Sequence, residues 1–162
     1  MKKTKPEAKP TLSDGACKLQ AAALPYRHAQ GLEVLLVTTL DTGRWIVPKG
    51  WPMKGRTNFE TAKREAYEEA GVKGEIASQA EGSFQYDKRR RNGAVWRCVV
   101  EVFPLEVKTQ SRTWPEKAVR KQRWYAWNEA ANLVDDAGLG DIIRAFADKT
   151  VSAKKASAKN AA

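Results

Sequence analysis

The sequence predicts an α/β fold in which helices pack on a mixed sheet. Apolar, β-branched segments lie on both sides of one amphipathic helical segment, and a second such helical segment lies near the end of the chain. A chain of 162 residues is long enough for one compact core. We therefore expect one domain over residues 16–148, with a disordered N-terminal extension at 1–15 and a disordered basic tail at 149–162.

The first third of the chain contains three predicted strands. Residues 18–26 are apolar with a proline near the end, residues 33–39 are β-branched and Leu-rich, and residues 44–48 follow the turn residues of segment 41–43. The next segment, PKGWPMKG at 48–55, has two prolines and two glycines in eight positions. Regular structure is unfavourable there, so a shaped loop is predicted.

A helix is predicted from Thr57 to Gly71. Thr57 and Glu60 have the spacing of a capping box, with Thr57 as N-cap, and Gly71 is the expected stop. Alanines at positions 62, 66 and 70 share one face with Phe59. Small side chains at this spacing favour a close approach of the helix to the sheet.

Downstream segments predict a hairpin followed by a strand and two helices. Residues 82–86 and 94–107 read as strands joined across the basic turn DKRRRNG, and 123–127 as a last short strand. Asn128 is the predicted N-cap of a short helix. The closing helix at 138–149 repeats apolar residues at helical spacing: Leu139, Ile142, Ile143 and Phe146.

The net charge of +10 is concentrated at the ends of the chain. Residues 1–15 contribute +2 and residues 149–162 contribute +4, which leaves +4 for the body. Within the body, Lys88 to Arg91 are consecutive and Arg120, Lys121 and Arg123 form a second cluster. A charge run is usually a solvated loop, but an anionic ligand would give it a role in binding.

Several classes of protein are disfavoured. No apolar run is long enough for a membrane span or a secretory signal, so no membrane partner is expected and the cytosol is the predicted compartment. Cys17 and Cys98 have no zinc-type spacing and are predicted to be reduced structural thiols. Monomer and homodimer both remain open.

Three carboxylates lie close together in the segment REAYEEAGV. Glu65, Glu68 and Glu69 occupy one sector of the predicted helix, where like charges cost about 0.2–0.5 kcal/mol per pair. An exposed helix striped with Glu and Arg would account for Glu60, Arg64 and Glu68, but not for Glu65 stacked with Glu69. A hard oxygen cluster of this kind suits Mg²⁺ or Mn²⁺.

The residues from Gly50 to Val72 resemble the Nudix box. That motif is a glycine, five residues, Glu, seven residues, Arg-Glu, an aliphatic residue, any residue, Glu-Glu, any residue, Gly and an aliphatic residue. The spacing matches, with Arg56 in place of the first Glu and Ala66 at the aliphatic position. The substitution at Arg56 leaves the number of bound metal ions open, and Glu60 is one candidate replacement.

Outside the box, the chain is similar to the diphosphoinositol polyphosphate phosphohydrolase subgroup. Shared pieces in the same order include Trp114, Glu116, Arg120, Lys121, Trp124, Glu129 and Ala130. Where the subgroup has a glycine triplet, this chain has Pro48-Lys49-Gly50. The resemblance implies a Nudix α/β/α sandwich. It also implies metal-dependent hydrolysis of a phosphoanhydride bond in a diphosphoinositol or diadenosine polyphosphate.

The chemistry of phosphoryl transfer assigns roles to these residues. Glu65 and Glu69 are the expected metal ligands, Glu68 is a third ligand or the general base, and Arg64 orients them. Candidate substrate-binding residues carry cationic groups or shape the loop: Lys18, Arg44, Lys49, Gly50, Lys88, Arg89, Arg90, Arg91 and Lys121, with Arg120 either a ligand contact or a surface residue. Trp51 and Trp114, in loops, are candidates for stacking on a base.

Two other functions remain open at this point. The same fold could act on RNA 5′ ends or another nucleoside diphosphate derivative, with the basic turn and tails giving non-specific affinity. RNA is a possible partner but not the favoured one. Alternatively, the chain is a binding or regulatory module weakened in catalysis by Arg56, which the presence of the other box charges disfavours.

Overall fold

The computed structural model describes residues 17–160, so the predicted N-terminal extension at 1–15 lies outside the described part. These residues form eight strands and three helices, in the following order. The elements are β1 (Lys18–Ala29), β2 (Gly31–Thr38), β3 (Trp45–Ile46), β4 (Lys49–Gly50), α1 (Asn58–Ala70), β5 (Val72–Ile76), β6 (Gly82–Arg89), β7 (Val95–Gln110), β8 (Gln122–Ala126), α2 (Trp127–Leu133) and α3 (Ala137–Asn160).

The centre of the sheet is a parallel pair formed by β1 and β7. Their register runs from Lys18 opposite Cys98 to Tyr26 opposite Glu106. Each long strand also has two antiparallel partners, one at each end: β4 and β2 pair with β1, while β6 and β5 pair with β7. The main path is β3-β2-β1-β7-β5, and β8 pairs with β2. The sheet is mixed, as predicted.

Both faces of the central strands are covered. Residues 21–24 of β1 are consecutive and fully buried, although neighbouring side chains on a strand point to opposite faces. Helix α1 packs on β1, β4, β5 and β7, while α2 packs on β2 and α3 on β6. The predicted alanine face of α1 is confirmed, because Ala62, Ala66 and Ala70 are fully buried. The architecture is the expected α/β/α sandwich.

The predicted ends of α1 are confirmed. The Glu60 backbone N–H donates to Thr57 Oγ1 over 3.3 Å, and Thr57 N–H donates to Glu60 Oε2 over 2.7 Å. At the other end Gly71 adopts the left-handed conformation with φ of 67°. The indole of Trp114 covers Gly71 so closely that a Cβ there would overlap it. Both conformation and contact therefore require glycine.

The predicted start of the second helix is wrong. Helix α2 begins at Trp127, one residue before Asn128, and Ala126 precedes it without a side-chain cap. Strand β8 runs directly into the helix. Because no loop separates β8 from α2, Ala126 occupies the N-cap position and Asn128 lies within the helix.

The C-terminal segment differs from the disordered tail that the composition predicted. Helix α3 continues through Lys149 to Asn160, although residues 151–160 are all exposed. The first half of α3 is anchored by buried Leu139, Ile143 and Phe146. Alanine and lysine propagate a helix that has already nucleated, and no glycine or proline interrupts them. Among residues 17–160, no helix combines the length and apolar character that crossing a membrane requires.

Candidate active site

A pocket of about 660 Å³ opens beside the C-terminal end of α1. It lies between the turn after β2, strand β4, strand β6 and the segment joining α2 to α3. Its lining carries five basic and five acidic side chains, together with three aromatic rings. The charged residues are Arg44, Lys49, Lys88, Arg89, Arg120, Asp41, Glu69, Asp87, Asp135 and Asp136, and the rings are those of Trp45, Trp51 and Tyr86.

Helix α1 presents Glu65 and Glu69 on neighbouring turns at this site. Glu69 is 5% exposed and lines the pocket. Glu65 packs against Gly50 of β4, where a Cβ would overlap its carboxylate. The glycine that opens the Nudix-like motif is therefore required by space, because β4 and α1 approach each other at the position of a metal-ligand candidate.

Burial makes the charged forms of both carboxylates unfavourable. It raises the pKa of Glu65 to about 7, with further increases from the nearby negative charges of Glu68 and Glu116. Burial likewise raises the pKa of Glu69 to about 8, and the positive charge of Arg120 opposes this without cancelling it. A buried and a half-buried carboxylate in one place favour the approach of additional positive charge.

The third predicted ligand, Glu68, lies to one side of this pair. Arg64 Nε donates to Glu68 Oε1 over 2.7 Å at the half-exposed edge of the helix, which fits the bracing role predicted for Arg64. Glu60 is committed to the capping box, so it does not replace the carboxylate missing at Arg56.

Glu65 and Glu69 are the two carboxylates that could hold a divalent ion here, and Glu68 stays the predicted third ligand or general base. Within the part of the chain that the structure describes, no group of three or more Asp, Glu, His or Cys side chains is arranged to hold a metal ion. Mg²⁺ in phosphate-processing sites commonly uses only one or two carboxylates, with waters and substrate phosphates as the remaining ligands. Glu65 and Glu69 supply two carboxylates, which meets that requirement.

Arg120 bridges Glu69 to Glu116 and to the backbone of β2. Its Nη2 donates to Glu69 Oε1 over 3.1 Å and to Glu116 Oε1 over 3.2 Å, and its Nη1 donates to the Thr38 carbonyl oxygen over 2.9 Å. The Arg120 side chain is 11% exposed. It therefore acts as an internal counter-ion of Glu69. The sequence marked Arg120 through its similarity to the subgroup and as part of a basic cluster, and Glu116 through the similarity alone, but it did not predict their pairing.

Residues 111–121 form a segment that caps the C-terminus of α1. The Ser111 N–H donates to the Gly71 carbonyl over 2.8 Å, Trp114 Nε1 to that of Glu69 over 3.3 Å, and Glu116 N–H to that of Glu68 over 3.0 Å. These donors satisfy carbonyls that a helix end leaves free. Trp114 is thus a packing residue in this structure, whereas Trp51, the other candidate for base stacking, lines the pocket.

The candidate substrate-binding residues separate into two groups. Arg44, Lys49, Lys88 and Arg89 line the pocket, and Gly50 lies beneath Glu65. Outside the lining are Lys18, Arg90, Arg91 and Lys121. Lys18 and Arg90 lie over the ring of Trp96, and Arg91 is exposed in the turn between β6 and β7. Lys121 is exposed and uses its backbone N–H to bind Thr38 Oγ1.

Lys49 is an enclosed pocket cation with a shifted pKa. Burial lowers its pKa, and the neighbouring positive charge of Lys88 lowers it further. Its ammonium group lies 4.9 Å from the ring centre of Tyr86. Tyr86 itself donates to Gln20 Oε1 over 2.6 Å, and burial raises the pKa of its hydroxyl. Gln20 and Tyr86 carried no functional signal in the sequence, because each reads as an ordinary strand residue.

Comparisons with known proteins agree with this architecture. The NUDIX domain family matches residues 18–146. The chain is 33% identical over 131 residues to "Nudix hydrolase 21, chloroplastic" of Arabidopsis thaliana, covering 78% of this chain and 64% of that protein. It is 32% identical over 135 residues to "Diphosphoinositol polyphosphate phosphohydrolase 3-alpha" of Mus musculus, covering 82% of this chain and 78% of the mouse protein.

Two solved structures have a similar fold. One is an Ap4A hydrolase of C. elegans, with a TM-score of 0.60 and 21% identity, covering 83% of this chain and 99% of that one. The other is the NUDIX domain of Shewanella oneidensis NrtR complexed with ADP ribose, with a TM-score of 0.64 and 18% identity, covering 91% of this chain and 94% of that one. At these identities the likeness concerns the fold alone.

Proposed function

The chain belongs to the NUDIX domain family, and from that premise we propose that it is a metal-dependent hydrolase cleaving a phosphoanhydride bond in a small, densely phosphorylated substrate. The observation that carries the proposal is the pair of half-buried Glu65 and buried Glu69, both with raised pKa values, beside a pocket whose lining includes five basic side chains. A divalent cation would compensate the negative charge of the two carboxylates. Substrate phosphates would compensate the positive charge of the basic side chains.

The residues of the site have separate roles in the proposed hydrolysis. A divalent ion such as Mg²⁺ or Mn²⁺, which Glu65 and Glu69 would hold, would supply charge neutralisation on phosphate oxygens and acidify a water. Glu65 and Glu69 hold the ion, and Arg44, Lys49 and Arg89 bind the phosphates. Glu68, fixed by Arg64, accepts a proton from the attacking water at a carboxylate oxygen. We propose the cytosol as the compartment, with an organelle as the alternative that the chloroplastic relative suggests.

Two substrate classes remain, and different observations support them. The mouse relative, named for diphosphoinositol polyphosphates, supports an inositol substrate. The lining supports a nucleotide such as a diadenosine polyphosphate, because its acidic and basic side chains balance and Trp45, Trp51 and Tyr86 offer aromatic surface. A densely charged inositol polyphosphate has no flat group to place against these rings, whereas a purine does.

A substrate panel tests the proposal. Purified protein is incubated with Mg²⁺ and diadenosine polyphosphates, a diphosphoinositol polyphosphate, ADP-ribose and a 5′-triphosphorylated RNA, and the released phosphate and nucleotide products are quantified. We expect turnover of the first or second class and its loss in Glu69→Gln, which removes a ligand charge. Tight binding without turnover would identify a binding module instead, and normal turnover by Glu69→Gln would refute the metal assignment.

A further inference from the structure

Lys49 is held in the pocket wall by the backbone of a two-residue strand. Strand β4, formed by Lys49 and Gly50, pairs with Ala21 and Ala22 of β1. Neighbouring side chains of a strand point to opposite faces, so Gly50 lies against Glu65 while Lys49 lines the pocket. A short, paired piece of backbone therefore joins the lysine to the position of a metal-ligand candidate.

The ammonium group of Lys49 has an aromatic neighbour rather than a carboxylate partner. It lies 4.9 Å from the ring centre of Tyr86, and within residues 17–160 it forms no ion pair with Asp or Glu. Its positive charge nevertheless reaches both Glu65 and Glu69, where it offsets part of the rise in their pKa. Lys49 thus acts on the two carboxylates and keeps its donors available for an anion.

The charges around the two carboxylates match one divalent ion. Glu116 lies near Glu65, and Arg120 pairs with both Glu69 and Glu116. In their ionised forms, three carboxylates and one guanidinium leave two negative charges uncompensated, which is the charge that one Mg²⁺ or Mn²⁺ carries. A second divalent ion would give this group an excess of positive charge beside the ammonium of Lys49.

The other two carboxylates of α1 are engaged elsewhere. Glu60 accepts the Thr57 N–H in the capping box, and Glu68 accepts from Arg64 Nε. Arg56 stands where the Nudix-like motif has its first glutamate. A second divalent ion would therefore have to displace one of these contacts to gain a carboxylate ligand from the helix.

Displacement at a diphosphate is favoured by more than one positive group on the phosphate oxygens, and metal ions and basic side chains both serve. We propose that the Lys49 ammonium is the second cation of this site and that one divalent ion, held by Glu65 and Glu69, is sufficient beside it. Lys49 stands where the similar subgroup has a glycine, which supplies no charge. The inference rests on the proposed function for the metal ion and the diphosphate group, but its test needs no turnover.

The test counts metal ions per bound diphosphonate. The full chain is dialysed to equilibrium against Mn²⁺ and methylenediphosphonate, whose P–C–P link is not hydrolysed, and metal and phosphorus are measured on both sides of the membrane. We expect about one Mn²⁺ per bound diphosphonate for the unchanged chain and for Lys49→Arg. In Lys49→Met, which removes the charge, binding at micromolar Mn²⁺ should weaken about 10-fold or more. Millimolar Mn²⁺ should restore it, with about two ions bound.

Lys88→Met is the matched control. It removes a charge from the same pocket lining, where the Lys88 ammonium lies 5.3 Å from the ring centre of Trp51. This variant is expected to keep about one ion and to weaken diphosphonate binding less than about 3-fold. An equal response of Lys88→Met and Lys49→Met would mean that only the diffuse charge of the pocket matters, and would overturn the inference.

Other results would also overturn it. Two ions in the unchanged chain would show that Lys49 replaces none. One ion in Lys49→Met, with weak binding at every Mn²⁺ concentration, would make Lys49 a phosphate contact alone. Absence of Mn²⁺-dependent binding by the unchanged chain would refute the metal assignment together with this inference. An enzyme active in the substrate panel whose Lys49→Met variant keeps one ion refutes this inference alone. An inactive chain that changes from one ion to two refutes only the proposed hydrolysis.

Discussion

Burial and nearby negative charge together oppose ionisation of Glu65, and the charges of Arg120 and Lys49 offset them only in part. Gly50 lies against its carboxylate, and Glu68 and Glu116 add negative charge nearby. A residue under these constraints weakens the metal-free protein and becomes favourable when a cation binds. The stability of the fold and the occupancy of the site are therefore linked through one side chain.

Glu65→Gln is expected to stabilise the metal-free protein by an amount that grows as pH rises from 4.5 and is complete above pH 7. The pKa of Glu65 is raised in the folded state to about 7, so its stabilising contribution is present below its ordinary value of 4.5 and is lost as pH rises through 7. Each unit of pKa shift corresponds to at most about 1.4 kcal/mol, or about 3 °C in Tm for a chain of this size, and solvent screening of the half-buried carboxylate reduces this. Thermal melts in EDTA should show similar Tm values at pH 4, below both pKa values, and a higher Tm for the variant at pH 8. A constant difference across pH would contradict the assignment.

Arg120→Ala is expected to destabilise the protein by about 3 kcal/mol, because it leaves buried Glu69 without its ion-pair partner. Arg120→Lys keeps the charge but cannot bridge Glu69, Glu116 and the Thr38 carbonyl together, so it should recover only part of the loss. Urea denaturation at pH 8 in EDTA measures both. Arg64→Ala, which removes a more exposed pair, is the control and should cost less than about 1 kcal/mol.

Arg89 and Arg91 allow a matched comparison of pocket and turn. Arg89 lines the pocket, whereas Arg91 is exposed outside it. On diadenosine polyphosphates of increasing phosphate number, Arg89→Ser should lose kcat/KM by about 10-fold or more, since one charge-assisted hydrogen bond contributes roughly 1.5–3 kcal/mol. Arg91→Ser should change it less than about 3-fold, a loss that added salt removes. Equal losses would show that the run acts only as diffuse charge.

At the residue scale, the sequence pointed to the carboxylates but not to their counter-ion. Glu65 and Glu69 are four positions apart on one helix, so their proximity follows from helical geometry alone. Arg120 reaches Glu69 from 51 positions away and the Thr38 carbonyl from 82. No local pattern encodes such contacts. They depend on how segment 111–121 folds over the end of α1.

Among the elements, α3 has two halves with different physical origins. The half up to Thr150 is held by buried apolar side chains and by the 3.0 Å pair of Lys149 with Glu81. The half beyond it, residues 151–160, is exposed throughout and continues the helix by propensity alone.

A chain ending at Thr150 is therefore expected to keep its fold. Its free energy of unfolding should change by less than about 0.5 kcal/mol, as for surface changes that touch no core contact. Denaturant unfolding measures this, and circular dichroism at 222 nm should report the loss of the removed helical turns. A truncated chain that fails to fold would mean that the exposed half supports the core.

Element prediction succeeded where side-chain patterns were strong and failed where only backbone pairing defined the element. The capping box and Gly71 located α1 because they carry specific side chains. Strand β4 has two residues, Lys49 and Gly50, within a segment rich in proline and glycine. Its pairing with Ala21 and Ala22 of β1 is tertiary, so the sequence predicted only a loop.

For the whole molecule, the α/β class followed from the order of elements, but the order of strands did not. The alternation of strands and helices is local, whereas the placement of β7 beside β1 joins segments from opposite halves of the chain. Two strands that line the pocket pair with the long central strands: β4 pairs with β1, and β6 pairs with β7. The pocket therefore forms where β4 and β6, which lie off the main strand path, pair with the two central strands.

The parallel pairing of β1 and β7 has a consequence for synthesis on the ribosome. Strand β1 emerges first, yet its partner residues up to Glu106 follow only after most of the domain has been made. Until then the apolar run Ala21–Leu24 has no central neighbour to pair with. The nascent chain must keep this strand from aggregating for several seconds at translation rates of about 5–20 residues per second. Pairing of the central strands is therefore delayed in synthesis until β7 has emerged.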